Sequence, residues 1–280
     1  MPLGFAKAQS ACALHPTVIT GAGGDLGREL AVRLAGSGSP LALVDADGDR
    51  LEGTMAACRQ IAPKITTWVA DVTSYNDISA IAEDIRARQG PAHALYNLAG
   101  VIHAGLLVDS TPADLERVIR VDLLGTMTCS KAFLPQLAET GHGTLVNVSS
   151  ALGLLAAPGY TAYSAAKFGV RGFTEALQQE VDQSKVSVSA AYPGGVQTGI
   201  MRRATYASTA DRDRIQQQFD QSVARLSTEK AVTQLLAGVG RGRRRIVVGA
   251  DATMADLLVR VVGTGYQRVT GRMWLRNSAG

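Results

Sequence analysis

The chain, 280 residues long, predicts an α/β fold of three layers, a mostly parallel sheet covered by helices on both faces. Three observations predict it. Short, nearly continuous apolar runs recur along the chain, longer helix-compatible stretches separate them, and a glycine-rich turn joins the first run to the first helix. Apolar runs without alternation belong to strands buried on both faces, and strands alternating with helices assemble into parallel sheets. The length fits one domain, 1–280, with no second full domain.

The first expected strand is Pro16-Thr-Val-Ile-Thr20. The turn Thr20-Gly-Ala-Gly-Gly-Asp-Leu-Gly27 follows and opens a helix through Arg28-Glu-Leu-Ala-Val-Arg-Leu-Ala35, whose apolar residues recur at three- and four-residue intervals. Gly36-Ser-Gly-Ser-Pro40 ends it, because glycine suits a helix C-terminus and proline cannot continue one. Further strands are expected at Pro40-Leu-Ala-Leu-Val44 and His93-Ala-Leu-Tyr-Asn97. Thr111, with proline next and Asp114 beyond, caps a long helix running toward Leu137. A strand at Gly143-Thr-Leu-Val-Asn-Val148 precedes a helix that carries Tyr163 and Lys167 and continues to about Gln183. The strand Val186-Ser-Val-Ser-Ala-Ala191 ends before Pro193-Gly-Gly195 breaks the chain. Segment 199–226 is polar and charged yet holds Ile200, Met201, Tyr206 and Phe219 at intervals. It reads as a helical flap over a ligand, with a plain solvated helix pair as the alternative.

Cys12, Cys58 and Cys129 are scattered and odd in number, and the four histidines show no ligand spacing, so no metal is expected and the thiols read as reduced, placing the protein in the cytoplasm. The first sixteen residues, Lys7 among them, lack the apolar core of a signal peptide, and no window has the roughly 18 uncharged apolar residues of a membrane span. The net charge of +4 is uneven: eight arginines after residue 240 face only Asp251 and Asp256, which leaves the rest of the chain net acidic. A nucleic-acid reader would interleave such charge with aromatics. Only Tyr266 and Trp274 are present, so nucleic acid is not an expected partner. Segment 241–280 is therefore read as a basic end that docks on its own acidic body or on a neighbouring subunit. Contact with an anionic membrane surface is the less favoured alternative, because Gly263 and Gly265 interrupt an amphipathic face.

The glycine turn sits between a strand and a helix, where glycine lets a pyrophosphate approach the backbone and the helix N-terminus supplies unpaired N–H groups. Asp45 ends the next strand eighteen positions after Gly27, close to the roughly 20-residue separation of an acidic residue that grips ribose hydroxyls and repels a 2′-phosphate. That favours NAD over NADP. Tyr163 and Lys167 stand four apart, hence on one helix face, so a cation adjoins a phenol whose ordinary pKa of about 10 makes it a poor base in neutral water. A dinucleotide turn with a proton-transfer pair points to hydride transfer coupled to proton transfer.

Together these motifs resemble the short-chain dehydrogenase/reductase family from about Val18 to Thr198. Six elements stand in that family's order: the glycine turn, Asp71-Val72, Asn97-Leu-Ala-Gly100, Ser150, Tyr163 to Lys167, and Pro193-Gly-Gly-Val-Gln-Thr198. The resemblance implies a Rossmann-type sheet of about seven strands. It implies contacts to the cofactor from Gly21, Gly23, Asp25, Leu26, Gly27, Asp45, Asp71, Val72, Asn97, Ala99, Gly100, Pro193, Gly194, Val196 and Thr198, as well as from Tyr163 and Lys167. Tyr163 would be the acid/base, Ser150 would hold the substrate oxygen, and Lys167 would lower the tyrosine pKa and bind the nicotinamide ribose. Asp25 departs from the pattern, standing where a glycine is usual; its charge is expected to weaken pyrophosphate binding unless it points outward. Asp122 stands at the position of a catalytic asparagine and is retained among the catalytic residues. Leu98 replaces a second asparagine.

The function expected is NAD-dependent interconversion of a secondary alcohol and a ketone, with an apolar or mixed substrate beside Ser150, Leu152, Leu154, Leu155, Tyr160, Ile200 and Met201. The rivals are an NADP-linked carbonyl or oxoacyl reductase, and a non-catalytic NAD-binding sensor or scaffold. A homodimer or homotetramer is expected, joined through the helix before Leu137 and the helix carrying Tyr163.

Overall fold

The computed structural model describes residues 15–271 apart from Pro63 and Val269. Lys7, Cys12, Arg272, Trp274 and Arg276 lie outside the described residues. The chain starts with β1 (Thr17–Thr20), α1 (Asp25–Gly36), β2 (Leu41–Asp45), α2 (Gly48–Cys58), β3 (Ile65–Val69), α3 (Tyr75–Gln89) and β4 (Ala94–Asn97). It continues with a two-residue strand β5 (His103–Ala104), α4 (Pro112–Val118), α5 (Gly125–Glu139), β6 (Gly143–Val148), α6 (Thr161–Glu180) and β7 (Val186–Pro193). The final part holds β8 (Thr205–Tyr206), α7 (Arg212–Gln218), α8 (Thr228–Gly240), β9 (Arg245–Val248) and α9 (Ala250–Val262).

Seven strands form one sheet in the order β3-β2-β1-β4-β6-β7-β9, and each of its pairings is parallel. This is the Rossmann-type arrangement. The continuous apolar runs have a direct cause, since successive residues of a strand face opposite sides and both sides are covered. Val18 packs with Leu95, Phe133 and Leu145 on one face, while its neighbour Ile19 packs with Leu30, Leu43 and Ile246 on the other. Strand order reverses direction between β1 and β4, so a crevice opens at their C-terminal ends, the place where open α/β sheets bind ligands. The register puts Thr20 beside Asn97 at that edge.

Side-chain caps fix where several helices begin. Thr111 accepts from the Asp114 amide and Pro112 follows it inside the first turn, as the sequence predicts. Asp47, Ser74 and Ser227 cap α2, α3 and α8 in the same way. The predicted long helix toward Leu137 is not uniform: between α4 and α5 the turns widen into a π-helical segment, Ile119–Leu124. Two other boundaries move. Strand β7 runs on to Pro193 rather than ending at Ala191, because Tyr192 and Pro193 still pair with Val247 and Val248 of β9. Helix α6 ends at Glu180 rather than about Gln183.

Segment 199–226 holds β8, which pairs with β5 in a small separate sheet, and α7 with a π-helical turn, Phe219–Val223. Buried His103 locks that sheet in place: Nδ1 lies 2.8 Å from the Thr205 hydroxyl and Nε2 lies 2.9 Å from the Ser110 hydroxyl. The basic end contributes β9 at the sheet edge and then α9. Arg245 and Arg260 both pair with Asp256, Tyr266 Oη accepts from the Ala156 amide at 3.1 Å, and the Asp251 carboxylate accepts from the Gly195 amide at 2.6 Å. Among the described residues, no helix is long and apolar enough to cross a membrane.

Candidate active site

At the end of β1 the chain turns sharply, and two glycines make the turn possible. Gly21 has φ +68°, and a Cβ there would stand 2.6 Å from the Ala99 amide nitrogen; one on Gly27 would stand 2.2 Å from the Gly21 carbonyl. The close approach presses the turn onto the loop after β4. No side chain caps α1 at Gly24, which leaves the first-turn N–H groups without a side-chain acceptor there, an arrangement suited to a pyrophosphate.

Asp25 opens α1 as a helical residue. A glycine is not required at this position, since Asp25 is helical and no described non-glycine residue has a positive φ. Its Oδ2 accepts from the Gly199 amide at 2.8 Å and from Arg203 Nη2 at 2.9 Å. Burial would raise this carboxyl's pKa, but the bonds from Arg203 and Gly199 outweigh it and hold it below the usual range. Asp45 is buried at the tip of β2. It reaches into the turn, accepting from Gly23 N at 2.8 Å and from Asp47 N at 2.9 Å, with Arg50 at 3.7 Å.

The side chain of Asn97 is spent inside the fold. Nδ2 donates to Asn147 Oδ1 and to Ser130 Oγ at 2.9 and 3.2 Å, which stitches β4 to β6 and α5. Ala99 and Gly100 follow on the loop beyond it. A Cβ on Gly100 would stand 3.2 Å from Asp122 Oδ2 and 3.4 Å from Lys167 Nζ, so this loop runs directly against those two side chains. Val72 is buried behind it, packed against Gly125. Asp71, exposed just before it, accepts from the Thr73 amide at 2.9 Å.

Helix α6 presents Tyr163 and Lys167 on one face, both buried, with Lys167 Nζ 5.4 Å from the centre of the Tyr163 ring. Ser150, two residues beyond β6, accepts from the Leu152 amide at 3.1 Å, and its hydroxyl lies near enough to the Tyr163 phenol to favour the phenolate. Asp122 is delivered by the π-helical segment, a distortion frequent at functional sites. Its Oδ2 lies 3.0 Å from Lys167 Nζ and its Oδ1 accepts from Val101 N at 2.8 Å. The link to Lys167 is thus direct and ionic, while the Asp122 carbonyl accepts from the Thr126 hydroxyl. Burial alone would lower the Lys167 pKa; the Asp122 carboxylate outweighs it and holds the ammonium above its ordinary value. For Tyr163 the pull of Lys167 has the expected sign but is outweighed. Lys167 and Ser150 do pull the phenol down, but burial pushes it up more strongly and Asp122 adds to the rise, so the net direction is upward.

Beside this cluster lies a cavity of about 590 Å³ lined by Leu106, Tyr160, Ile215, Phe219 and Val223, among others. Tyr160, Leu152, Ile200 and buried Met201 pack in one apolar cluster with Tyr163, Ile215 and Phe219. Leu154 does not join them, because it packs against Tyr192 and Val247 beneath the sheet; Leu155 lies on neither the cavity wall nor that cluster. On the crevice floor, the backbone flanking Val196 pairs with Leu226. Pro193, Gly194 and Thr198 are partly buried along the same loop, and Asp251 Oδ1 occupies the space a Gly194 Cβ would need. Sequence reasoning missed Asp251, Arg203 and Leu106. No local spacing could have found the first two, whose partners lie 56 and 178 residues away.

The fold and this constellation define a dinucleotide-binding α/β architecture in which partly buried Ser150 stands by buried Tyr163 and Lys167. Residues 16–209 match the family model described as short chain dehydrogenase, and the chain belongs to the short-chain dehydrogenase/reductase family. It is 41% identical over 254 residues to a putative oxidoreductase, SadH, of Mycobacterium tuberculosis, covering 90% of this chain and 92% of that protein. Human estradiol 17-beta-dehydrogenase 11 is 28% identical, over 91% of this chain and 81% of its own. Among solved structures, a short-chain dehydrogenase/reductase of Burkholderia phymatum in complex with NAD superposes with a TM-score of 0.81 at 26% identity, covering 91% and 96% of the two chains.

Proposed function

We propose that this protein is an NAD-dependent oxidoreductase that interconverts a lipophilic secondary alcohol and its ketone. The observation that carries the reading is the Ser150–Tyr163–Lys167–Asp122 group, its last three members buried, set against Gly100 and, through that loop, against the glycine turn. The residues present fit a dinucleotide: the Gly21 and Gly27 cradle has no room for a Cβ, α1 has no side-chain cap, and Asp45 projects into the turn. Asp45 supports NAD over NADP, since its carboxylate stands where a 2′-phosphate would meet like charge. When bound, the nicotinamide supplies the hydride acceptor or donor.

The chain's own residues do the rest. Ser150 holds the substrate oxygen and Tyr163 gives or takes its proton at Oη. Lys167, kept charged by Asp122, opposes the burial that disfavours the phenolate and offers an ammonium to the nicotinamide ribose. Preorganised donors of this kind stabilise an oxygen whose charge changes in the transition state. Segment 199–226 serves as a flap, and its Ile215 and Phe219 line the cavity. Its volume, within the usual range for small-molecule sites, and its mainly apolar wall favour a lipophilic substrate. A cytoplasmic location is in keeping with Cys58 and Cys129, both buried and unpaired. The reading is tested by following NADH absorbance over a panel of lipophilic secondary alcohols and ketones, alongside titrations with NADH and NADPH. Turnover with NAD(H) and weaker NADPH binding are expected; no turnover with either cofactor would overturn it.

A further inference from the structure

We propose that Asp25 and Arg203 form a charge latch that ties the root of segment 199–226 to the phosphate turn, so that Arg203 sets the turn's affinity for a pyrophosphate. The affinity part rests on the dinucleotide reading above.

The first turn of α1 concentrates positive potential for an anion. A bare carboxylate at its first position competes for that potential and repels an arriving pyrophosphate. In this chain that carboxylate is Asp25, and both groups on its Oδ2 come from the far segment: the Gly199 amide at 2.8 Å and Arg203 Nη2 at 2.9 Å. Gly199 is what lets the guanidinium lie there, since a Cβ at that position would stand 2.6 Å from Arg203 Nη1. The short helical turn Met201–Arg203 closes back on the Gly199 and Ile200 carbonyls. Buried Met201 anchors the same turn in the apolar cluster that holds Tyr163. One short stretch therefore grips the substrate side through Met201 and the phosphate side through Arg203.

The pair is partly exposed, with the Arg203 and Asp25 side chains at 40% and 43% of full accessibility. Its worth as a surface ion pair is therefore small. The larger consequence is for a third charge: with Arg203 in place the pyrophosphate meets a neutral pair, and without it an uncompensated anion.

The test uses the full chain and four proteins: unmodified, Arg203→Ala, Asp25→Asn and the double variant. Fluorescence titration with NADH should show Arg203→Ala weakened by about five- to tenfold. Adenosine, which lacks phosphates, should bind all four within about twofold. The double variant should recover most of the NADH affinity, because removing the carboxylate removes the need for its partner. Equal NADH affinity in Arg203→Ala, or a double variant no better than Arg203→Ala, would overturn the charge mechanism. If Arg203→Ala fails to fold, Arg203→Gln takes its place in the same cycle.

The latch is also read without nucleotide, by hydrogen exchange over residues 198–204, which Asp25→Asn should accelerate. Unchanged exchange overturns the latch even if NADH binds. Accelerated exchange in a protein that never binds NADH instead overturns the dinucleotide reading, and with it the affinity role.

Discussion

In the proposed reaction Tyr163 gives or takes the substrate proton, and its surroundings set the pH at which it would act. Burial and Asp122 raise the phenol's pKa against the pull of Lys167 and Ser150, so the group is protonated through the neutral range. Ketone reduction needs that protonated phenol and should be independent of pH between about 6 and 8. Alcohol oxidation needs the proton gone and should rise with pH, by close to tenfold per unit while the phenol is mostly protonated. Reduction that falls between pH 6 and 8 while oxidation stays flat would show a phenol already ionised. Asp45 sets a second outcome at this scale. With its carboxylate bonded to Gly23 N, Asp45→Ser should narrow the preference for NADH over NADPH by tenfold or so, and titrations showing no change would place the carboxylate outside ribose recognition.

At the scale of elements, α9 joins the site to the basic end. Asp251 at its start holds Gly195 N, Tyr266 beyond it holds Ala156 N, and Ala252 is buried. Deleting the chain after Ala250 should lower the melting temperature by about 5 °C or more and weaken NADH binding by loosening the 194–198 loop. An unchanged melting temperature, with salt-sensitive binding to anionic vesicles by the intact protein, would favour the membrane-surface reading of this segment. These long-range contacts explain what the sequence could and could not show. The glycine turn, Thr111 as a cap, and the Tyr163–Lys167 pair were legible because helix spacing and turn chemistry are local. Strand β3 was not, because Ile65-Thr-Thr-Trp-Val69 is half-buried at a sheet edge and mixes polar with apolar residues. Strand β9 was hidden by the arginines before it. The π-helical segment left no mark in an apolar pattern that reads as one helix, and Leu154 shares its neighbours' composition while facing the opposite way.

The whole molecule presents apolar residues on the two helical stretches expected to join subunits. Leu124 and Met127 near the start of α5 and Phe168 on α6 are exposed, and a face of this kind is covered when two copies meet. Light scattering at micromolar concentration should give a mass at least twice the 29.3 kDa of one chain; a monomeric mass would contradict the shared interface. Central to the proposed function is the transfer of the substrate proton by buried Tyr163. The measurement that tests it most directly is turnover and NADH affinity of Tyr163→Phe on whichever alcohol or ketone the unmodified protein converts. The account predicts a rate reduced by roughly 10²–10⁴-fold with NADH affinity within about twofold, because the ring still packs beside Lys167. A variant that keeps more than about a tenth of the rate would contradict it.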